Sequence, residues 1–347
     1  MESQKYIKTL DGWRAIAIIA VILSHLKETV SAPESPLFQI FAAGMHGVDL
    51  FFAISGYIIS TKLFSELDAH RTLEFKSFYI RRFFRLIPAT LTYITFLGLL
   101  AAAGFIKISL QEVLATLFFW RNYLEIDAHY TAQFWSLSVE EHFYLLFPSF
   151  LFFLKTKKKI AWGIILAAIS VSLWRKLGTV PGWIEIAPWT RYTMMSTFGR
   201  LDGLLLGTLL AFIQRNFKNL TAQMAKIPPV FPLTALLLLL IFPAPFSPTL
   251  KALLFPLIIF STISNEKRIL SQFLEWNIMT FIGRISYSLY IWHALFVYKM
   301  ASGPAWLQSL TGGWISLLPT FLVSYASYRY IETPLRLWGV RLSKKYS

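Results

Sequence analysis

Two ionisable side chains interrupt an apolar segment near the start of the chain. Residues 10–26 read LDGWRAIAIIAVILSHL, with Arg14 and His25 separated by nine apolar residues and one serine. Eleven residues of α-helix return to within about 20° of the starting direction, so both side chains point to one face, about 16 Å apart along the axis. An ionisable residue at the membrane centre costs about 2.5–3.5 kcal/mol and usually marks a function. The alternative is that Arg14 reaches the lipid headgroups and His25 is an interfacial histidine.

A second candidate group begins the next apolar segment, GMHGVDLFFAISGY. His46 and Asp49 are three residues apart and are therefore neighbours on one helix face. Asp49 could orient a histidine or hold an arginine; the alternative is that it only complements the positive end of the helix dipole. Ser55 and Gly56 favour close packing against another helix.

Arginines cluster in the segment FYIRRFFRLIP, where Arg82 and Arg85 share a helix face. The planar fork of an arginine matches phosphate oxygens. With Arg14 at the same level, these residues form a candidate seat for an anionic cofactor. The alternative is a cluster that only sets the orientation of the chain in the membrane.

Two consecutive acids follow in the segment QFWSLSVEEHFYLLFP. Ser136 or Ser138 is predicted to cap a helix that starts here. Glu140 and Glu141 then lie in its first turns, where the helix dipole favours acids.

Three later motifs also carry charged or histidine side chains. In GRLDGLLLG, Arg200 and Asp202 are two residues apart, so they do not face each other and are expected to find partners on other helices. The motif GRISYSLYIWH places His293 within an apolar helix. In YRYIETPLR, Glu332 and Arg336 have the spacing of an exposed ion pair at a helix end.

The composition excludes an ordinary soluble protein. Hydrophobic residues make up 56% and charged residues 15% of the chain, against roughly 45–50% and 25% in soluble domains. Long apolar runs predict an all-α polytopic membrane protein. The chain has no cysteine, which excludes disulfides and a thiol nucleophile.

About ten membrane-spanning helices are predicted, with the N- and C-termini cytoplasmic. The predicted intervals are about 11–30, 42–62, 83–104, 136–154, 160–176, 199–214, 229–245, 248–264, 281–300 and 313–331. If the amphipathic segment 108–124 lies along the surface, the lysine run at 155–159 is cytoplasmic, as the positive-inside rule prefers. The net charge of +15 is then assigned to cytoplasmic loops rather than to nucleic-acid binding. We expect a single integral-membrane domain over residues 1–347, with no appended soluble domain.

Six of these segments, in this order, resemble the acyltransferase 3 family of integral-membrane acyltransferases. The family includes O-acetyltransferases of bacterial O-antigens and exopolysaccharides. The matching segments are LDGWRAIAIIAVILSH, GVDLFFAISGYIIS, FYIRRFFRLIP, FWSLSVEEHFYLLFP, GRISYSLYIWH and YRYIETPLR.

The resemblance implies that an acyl group, usually acetyl from acetyl-CoA, moves to a carbohydrate hydroxyl at the outer side of a bacterial inner membrane. By position, Arg14 and His25 correspond to the essential Arg–His pair of the family, and Arg82 and Arg85 match its R-x-x-R motif. The three arginines are then expected to bind the CoA phosphates at the cytoplasmic mouth, and the thioester reaches His25. His25 acts either as a general base on the acceptor hydroxyl or accepts the acyl group itself.

The remaining site residues are expected to orient the imidazole or to bind the acceptor. Glu141 or Asp49 is predicted to orient His25, as a carboxylate does in a catalytic triad. The predicted acceptor-binding residues are Trp135, Glu140, His46, Arg200 and Asp202. Expected partners are acyl-CoA, a carbohydrate or lipid-linked glycan and membrane lipids, with no metal and no nucleic acid.

Two other classes of protein are the alternatives. A secondary transporter of a small anionic or glycan-related solute predicts broken helices in repeated halves, and no internal repeat is evident. A membrane protein without a catalytic role predicts that Arg14 and His25 tolerate substitution.

Overall fold

The computed structural model describes residues 6–30, 44–124, 129–154, 156–178, 195–242, 246–264 and 268–346. Within these ranges the chain forms helices joined by turns, without a β-strand, which confirms the all-α prediction. The α-helices in chain order are α1 (Lys8–Thr29), α2 (Gly47–His70), α3 (Phe75–Ala102), α4 (Leu110–Leu117), α5 (Phe134–Leu154), α6 (Lys157–Leu177), α7 (Thr197–Asn216), α8 (Lys218–Ala225), α9 (Val230–Ile241), α10 (Ser247–Ile263), α11 (Ile269–Leu274), α12 (Asn277–Val297), α13 (Ala305–Ser309), α14 (Leu317–Ser327) and α15 (Thr333–Ser343).

Several of these helices are long and apolar enough to cross a bilayer. In the described chain five qualify by length and composition: α1, the span Gly44–His70 that includes α2, α3, α5 and α6. The pair α8 and α9, bent by 74°, adds a sixth if it forms one span. These helices support a polytopic membrane protein. Each of the ten predicted intervals overlaps a described helix, while ten spans and cytoplasmic termini stay predictions.

The amphipathic segment 108–124 contains one short α-helix and a 3-10 turn at Arg121–Tyr123. Helix α4 has eight residues and starts in a capping box, in which Ser109 and Glu112 each accept a hydrogen bond from the other's backbone amide. Eight helical residues rise about 12 Å, and the hydrocarbon core is about 30 Å thick. The segment is therefore too short to span as this helix, in agreement with the prediction that it lies along the surface.

Packing divides the chain into two compact units. The first unit contains the described residues of Met1–Ala17, His46–Arg71 and Phe143–Arg284, and the second unit those of Ile18–Met45, Thr72–His142 and Ile285–Ser347. In the first unit α7 packs against α2, α6 and α10. In the second unit α3 packs against α4 and α15.

Glycines bring α2 and α7 into backbone contact within the first unit. A Cβ atom on Gly56 would lie 2.0 Å from the Leu204 carbonyl oxygen, and one on Gly207 would lie 2.3 Å from the Ala53 carbonyl oxygen. Small residues at helix interfaces in membranes allow this close approach. The packing role predicted for Gly56 is thereby confirmed.

The first turns of α1 are held against α11 and the start of α12, also within the first unit. A Cβ atom on Gly12 would lie 2.2 Å from the Leu274 carbonyl oxygen, and one on Gly283 would lie 1.8 Å from the Asp11 carbonyl oxygen. The Thr9 hydroxyl also donates to the Glu275 carboxylate at 2.7 Å. These contacts fix the part of α1 that carries Arg14.

The second unit holds the C-terminal half of α12 in an aromatic setting. The Trp292 ring lies edge-on to Tyr93, with 5.2 Å between ring centroids, and edge-on to Phe96 at 5.6 Å. The Tyr287 hydroxyl donates to the Leu86 carbonyl of α3 at 3.1 Å. The rotation of α12 against α3 is thereby fixed, and with it the direction of His293.

Candidate active site

Two histidines from distant parts of the sequence meet inside the second unit. His25 Nδ1 lies 3.2 Å from His293 Nε2, and the ring centroids are 5.0 Å apart. His293 is completely buried, whereas His25 is partly exposed. A histidine–histidine hydrogen bond between α1 and α12 is therefore the centre of this unit's polar site.

The hydrogen bonds around His293 define which nitrogen of His25 is available. His293 Nδ1 lies 2.7 Å from the Tyr290 carbonyl oxygen, which can only accept, so this nitrogen carries the proton. In a neutral imidazole the other nitrogen is an acceptor, so His293 Nε2 accepts from His25 Nδ1–H. His25 Nε2 then holds the lone pair. This is the atom that could take a proton or an acyl group.

A hydrogen-bond network connects this histidine pair to the start of α5. The Tyr290 hydroxyl lies 2.5 Å from Ser136 Oγ and donates to the Gln133 carbonyl at 3.1 Å. The Gln133 amide in turn donates to the Ile291 carbonyl at 3.0 Å. The network holds the segment of α12 that supplies the carbonyl partner of His293.

The start of α5 differs from its prediction. The helix begins at Phe134, so Ser136 and Ser138 lie inside it and are buried rather than capping it. Their hydroxyls bond to backbone carbonyls instead of free amides. Glu140 and Glu141 are consequently the seventh and eighth helical residues, beyond the first turn, and the dipole interpretation of these acids is wrong.

Aromatic and acidic side chains that sequence reasoning missed surround His25. The Tyr298 ring lies edge-on to His25 at 5.9 Å between centroids, and His129 lies 5.0 Å from Tyr298. The Glu28 carboxylate is within hydrogen-bonding reach of the Tyr298 hydroxyl, and its charge acts on His25. Glu28 follows His25 by three residues, a spacing that places both on one helix face and was visible in the sequence.

A buried acid lies close to the arginines of α3 in the second unit. The charges of Arg82 and Arg85 both act on Glu141. Glu141 Oε1 is buried, and no hydrogen bond to it is formed within the described residues. Arg82 is itself buried and stands over the Phe78 ring at 5.9 Å. The predicted R-x-x-R pair and Glu141 therefore belong to one electrostatic cluster.

Glu332 is not the exposed ion-pair partner that its spacing suggested. The residue is buried in a π-helical turn (Tyr328–Glu332) between α14 and α15. Its carboxylate accepts from Ser288 at 2.5 Å and from Ser327 at 3.1 Å. Burial overturns the exposed position predicted for Glu332, whereas the charge of Arg336 does act on it, as the four-residue spacing implies.

Arg14 lies in the first unit, on the same continuous helix α1 as His25. Its guanidinium donates to the buried Asp11 carboxylate at 3.2 Å. The Tyr6 hydroxyl donates to the other oxygen of Asp11. Burial and this hydrogen bond raise the pKa of Tyr6 to about 12.

The predicted partners of Asp49, Arg200 and Asp202 are found within the first unit. Asp49 accepts from Arg200 at 2.6 Å and from His46 at 2.9 Å, so it both holds an arginine and orients a histidine. Asp202 accepts from Arg175 of α6 at 2.6 Å. The expectation of partners on other helices is confirmed for both residues of the GRLDGLLLG motif.

Two cations of these networks were not singled out from the sequence. Arg175 donates to the Gly199 carbonyl at 2.7 Å and to Thr249 at 2.6 Å, in addition to Asp202. Lys251 lies 3.1 Å from His46 Nε2. Neither residue stands in a local pattern that predicts its partner, because the contacts depend on how α6 and α10 pack against α7.

Two further predicted residues lie on α5, where Trp135 and Glu140 are both partly exposed. No group of three or more histidine or acidic side chains suited to a metal ion occurs in the part of the chain that the structure describes.

Fold and site together define a helical membrane protein with two hydrogen-bonded histidines among its apolar helices. The family model described as "Acyltransferase domain" matches residues 7–329. The chain therefore belongs to the acyltransferase 3 family, which confirms the resemblance seen in its motifs.

Similar proteins carry names that agree with this family. The chain is 30% identical over 370 residues to the peptidoglycan O-acetyltransferase OatA of Listeria monocytogenes, covering 97% of this chain and 57% of the relative. It is 30% identical over 380 residues to the O-acetyltransferase OatA of Staphylococcus aureus (strain NCTC 8325), covering 98% and 59%. A Staphylococcus aureus (strain COL) protein provisionally named an O-acetyltransferase is 31% identical over 375 residues, with 98% and 59% covered.

The chain thus spans less than two thirds of the length of these curated relatives. No solved structure matches it significantly.

Proposed function

We propose that this chain is a membrane O-acyltransferase of the bacterial plasma membrane. It moves an acyl group, in the first instance acetyl, from acyl-CoA on the cytoplasmic side to a hydroxyl of a surface glycan on the outer side. The observation that carries the proposal is the His25–His293 hydrogen bond, which leaves His25 Nε2 as a base inside the membrane domain. The O-acetyltransferase names of the relatives, one of them for peptidoglycan, support a cell-envelope glycan as acceptor.

In the general-base route, His25 is the only protein group that accepts and returns a proton. His25 Nε2 takes the proton of the acceptor hydroxyl while the oxygen attacks the thioester carbon. The carbon–sulfur bond then breaks, and the leaving thiolate receives the proton back from Nε2. His293 Nε2 accepts from His25 Nδ1–H throughout and stabilises the imidazolium that forms, the role that a carboxylate has in a catalytic triad.

A covalent route uses the same atom. His25 Nε2 attacks the thioester carbon and CoA leaves as a thiolate. The acceptor hydroxyl then takes the acyl group from the imidazole, and its proton passes to the freed Nε2 and from there to the thiolate. An acyl-histidine formed with donor alone, before any acceptor is added, distinguishes this route from general-base catalysis.

The donor is assigned to the arginines. Arg82 and Arg85 would bind its phosphates by charge-assisted hydrogen bonds, and Glu141 would position them, since their charges act on this acid. Arg14 is also assigned to binding the donor phosphates, because it occupies the arginine position of the motif LDGWRAIAIIAVILSH. His293 takes the orienting role on His25 for which Glu141 or Asp49 was the expectation.

The acceptor is assigned to the predicted set of Trp135, Glu140, His46, Arg200 and Asp202. Asp202 is bound by Arg175, and Arg200 and His46 are bound by Asp49. These ion pairs would give the acceptor a fixed polar surface rather than a set of free charges.

The direct test compares surface glycans from cells with and without this chain. Mass spectrometry of released glycan fragments should show an added acyl mass, 42 Da for acetyl, that depends on the chain. Identical spectra with and without a well-expressed chain would contradict the proposed function.

A further inference from the structure

A cavity of about 640 Å³ lies within the first unit and is lined by residues of that unit alone. It is bordered by the start of α1, the C-terminal half of α2 and the end of α7. The topology predicted from the positive-inside rule puts these helix ends on the cytoplasmic side. Its volume is within the range of about 300–1,000 Å³ that is usual for small-molecule sites.

The acids in this cavity are already bonded. Asp68 is paired with Arg215, and Glu275 accepts from the Thr9 hydroxyl at 2.7 Å. Their negative charges are thus partly used within the protein, so the two acids do not by themselves indicate a cationic ligand.

The cations of the cavity keep unused donors. Arg215 Nη1 is buried and makes no hydrogen bond within the described residues. Lys8 is exposed at the rim, and the described chain supplies it with no hydrogen bond or ion pair. A buried donor without a partner costs free energy, so a ligand that brings an anionic oxygen would be stabilised here.

The remaining lining suits a planar aromatic group next to the anion. The rings of Tyr6, Tyr57 and Phe64 border the cavity, and the Arg215 guanidinium stands over Phe64 at 5.5 Å from the ring centroid. The Gln214 amide oxygen accepts from the Tyr57 hydroxyl at 2.6 Å, which leaves its amide nitrogen to donate to a base. An inorganic phosphate would use the cations but leave the rings and most of the volume empty.

A hydrogen-bonded chain joins the cavity to Arg14 within the same unit. Tyr6 lines the cavity and donates to Asp11, and Asp11 accepts from Arg14 at 3.2 Å. The cavity wall and the arginine assigned to the donor are therefore connected by a single carboxylate.

We propose that this cavity binds the adenosine 3′-phosphate end of the acyl-CoA donor, with Arg215 and Lys8 contacting the 3′-phosphate. The proposal rests on the proposed function, because it takes acyl-CoA as the donor. It assigns a nucleotide-binding role to residues outside the motifs that define the family resemblance.

The test is a double-mutant-type binding cycle. The ligand loses its 3′-phosphate in one arm, and the protein loses the Arg215 guanidinium in the other. The full-length chain in detergent is titrated with CoA and with dephospho-CoA, which lacks only the 3′-phosphate. For the unmodified protein CoA should bind about 10- to 100-fold more tightly, the range of a charge-assisted hydrogen bond. Arg215→Gln should remove most of this difference by weakening CoA, while dephospho-CoA binds as before.

Two further variants keep the experiment decisive. Lys8→Gln acts at an exposed position without a described ion pair, so it reports on the 3′-phosphate even if Arg215→Gln disturbs the fold through Asp68. Lys218→Gln removes an equal charge from the start of α8, outside the cavity. It should leave both affinities unchanged, which controls for general loss of positive charge.

The outcomes separate this proposal from the proposed function. A preference for CoA over dephospho-CoA that survives in both Arg215→Gln and Lys8→Gln overturns the cavity assignment and leaves the acyltransferase function intact. Co-purification of a phospholipid that only these two variants release, with CoA binding unchanged, overturns it in favour of a lipid headgroup. Absence of CoA binding by the unmodified protein contradicts the proposed donor and the cavity assignment together.

Discussion

At the scale of single residues, the carbonyl of Tyr290 decides the protonation pattern of two imidazoles. This carbonyl can only accept a hydrogen bond, so the proton of His293 is on Nδ1. His293 Nε2 is then the acceptor, and the proton of His25 is on Nδ1. Without that carbonyl, His25 could present either nitrogen to a substrate. The buried partner therefore determines which atom of His25 does the chemistry.

Substitution of His293 tests this orienting role. His293→Gln retains a side-chain oxygen that can accept from His25 Nδ1–H, whereas His293→Phe retains none. We expect His293→Phe to lower acyl transfer by about 10²- to 10⁴-fold, since loss of the orienting partner in a serine-protease triad costs about 10⁴, and His293→Gln to lower it less.

The spectroscopic readout for the same variants is ¹⁵N NMR of the histidine side chains, of which the chain has six. The His25 signal should report the Nδ1–H form in the unmodified protein and a mixture of forms in His293→Phe. An unchanged His25 tautomer in a stable His293→Phe protein would leave His293 with a packing role alone.

Arg82 provides a second test at this scale. Arg82→Gln should weaken acyl-CoA binding by about 10-fold or more, because a charge-assisted hydrogen bond to phosphate is lost. Arg82→Lys should restore only part of the affinity, because lysine keeps the charge without the bidentate fork.

The measurement for Arg82 is equilibrium binding of the CoA donor to purified protein. Equal affinities for the unmodified protein, Arg82→Gln and Arg82→Lys would show that this arginine sets orientation in the membrane and does not bind the donor.

Spacing along the sequence predicted residue pairs only within one regular helix. His46 and Asp49 are bonded as their three-residue spacing implied. The prediction that Arg200 and Asp202 bond to residues on other helices was also correct. The identity of Arg175 as a partner could not be predicted, since it depends on the packing of α6 on α7. The burial of Glu332 could not be predicted either, because its carboxylate accepts from Ser288 of α12 through a contact that depends on tertiary packing.

At the scale of helices, the close approach of α2 and α7 depends on glycine. Gly207→Ala would place a methyl group 2.3 Å from the Ala53 carbonyl oxygen. The helices must separate to accept it, and overpacking of this kind typically costs about 1–3 kcal/mol. We expect the melting temperature of the detergent-solubilised chain to fall by several degrees.

Gly98→Ala is the matched control for this prediction. A Cβ atom at Gly98, inside α3, has nothing within 4 Å. Alanine is favoured over glycine in a helix by up to about 1 kcal/mol, so this variant should be neutral or stabilising. Equal melting temperatures for the two variants would contradict the tight α2–α7 contact.

Hydrophobic periodicity located the helices well and their ends less well. Every predicted interval overlaps a described helix, since burial of apolar residues at helical spacing decides where helices form. The start of α5 was placed too late because Ser136 resembled a cap, whereas its hydroxyl bonds to Tyr290. A serine can either cap a helix or join a buried hydrogen-bond network, and only the tertiary surroundings decide between the two roles.

At the scale of the whole chain, the distribution of positive charge predicts the orientation in the membrane. The lysines that begin α6 are expected on the cytoplasmic side and the segment before α7 on the outer side. Residues 179–194 of that segment lie outside the described residues, but Met195, two residues before α7, is described and exposed.

Cysteine labelling tests this orientation without interference, because the natural chain has no cysteine. A membrane-impermeant maleimide applied to intact cells should label Met195→Cys and not Lys157→Cys, and both should react after lysis. Labelling of Lys157→Cys from outside would overturn the ten-helix topology.

Acyl transfer by His25 can be tested with a single substitution. His25→Gln retains a hydrogen-bonding side chain but has no basic nitrogen. Surface-glycan acylation is measured by mass spectrometry in cells that express the unmodified chain or His25→Gln at equal membrane levels. We expect the variant to lose acylation by at least about 10²-fold, the minimum typical for loss of a general base. Near-normal acylation by His25→Gln would contradict acyl transfer by His25.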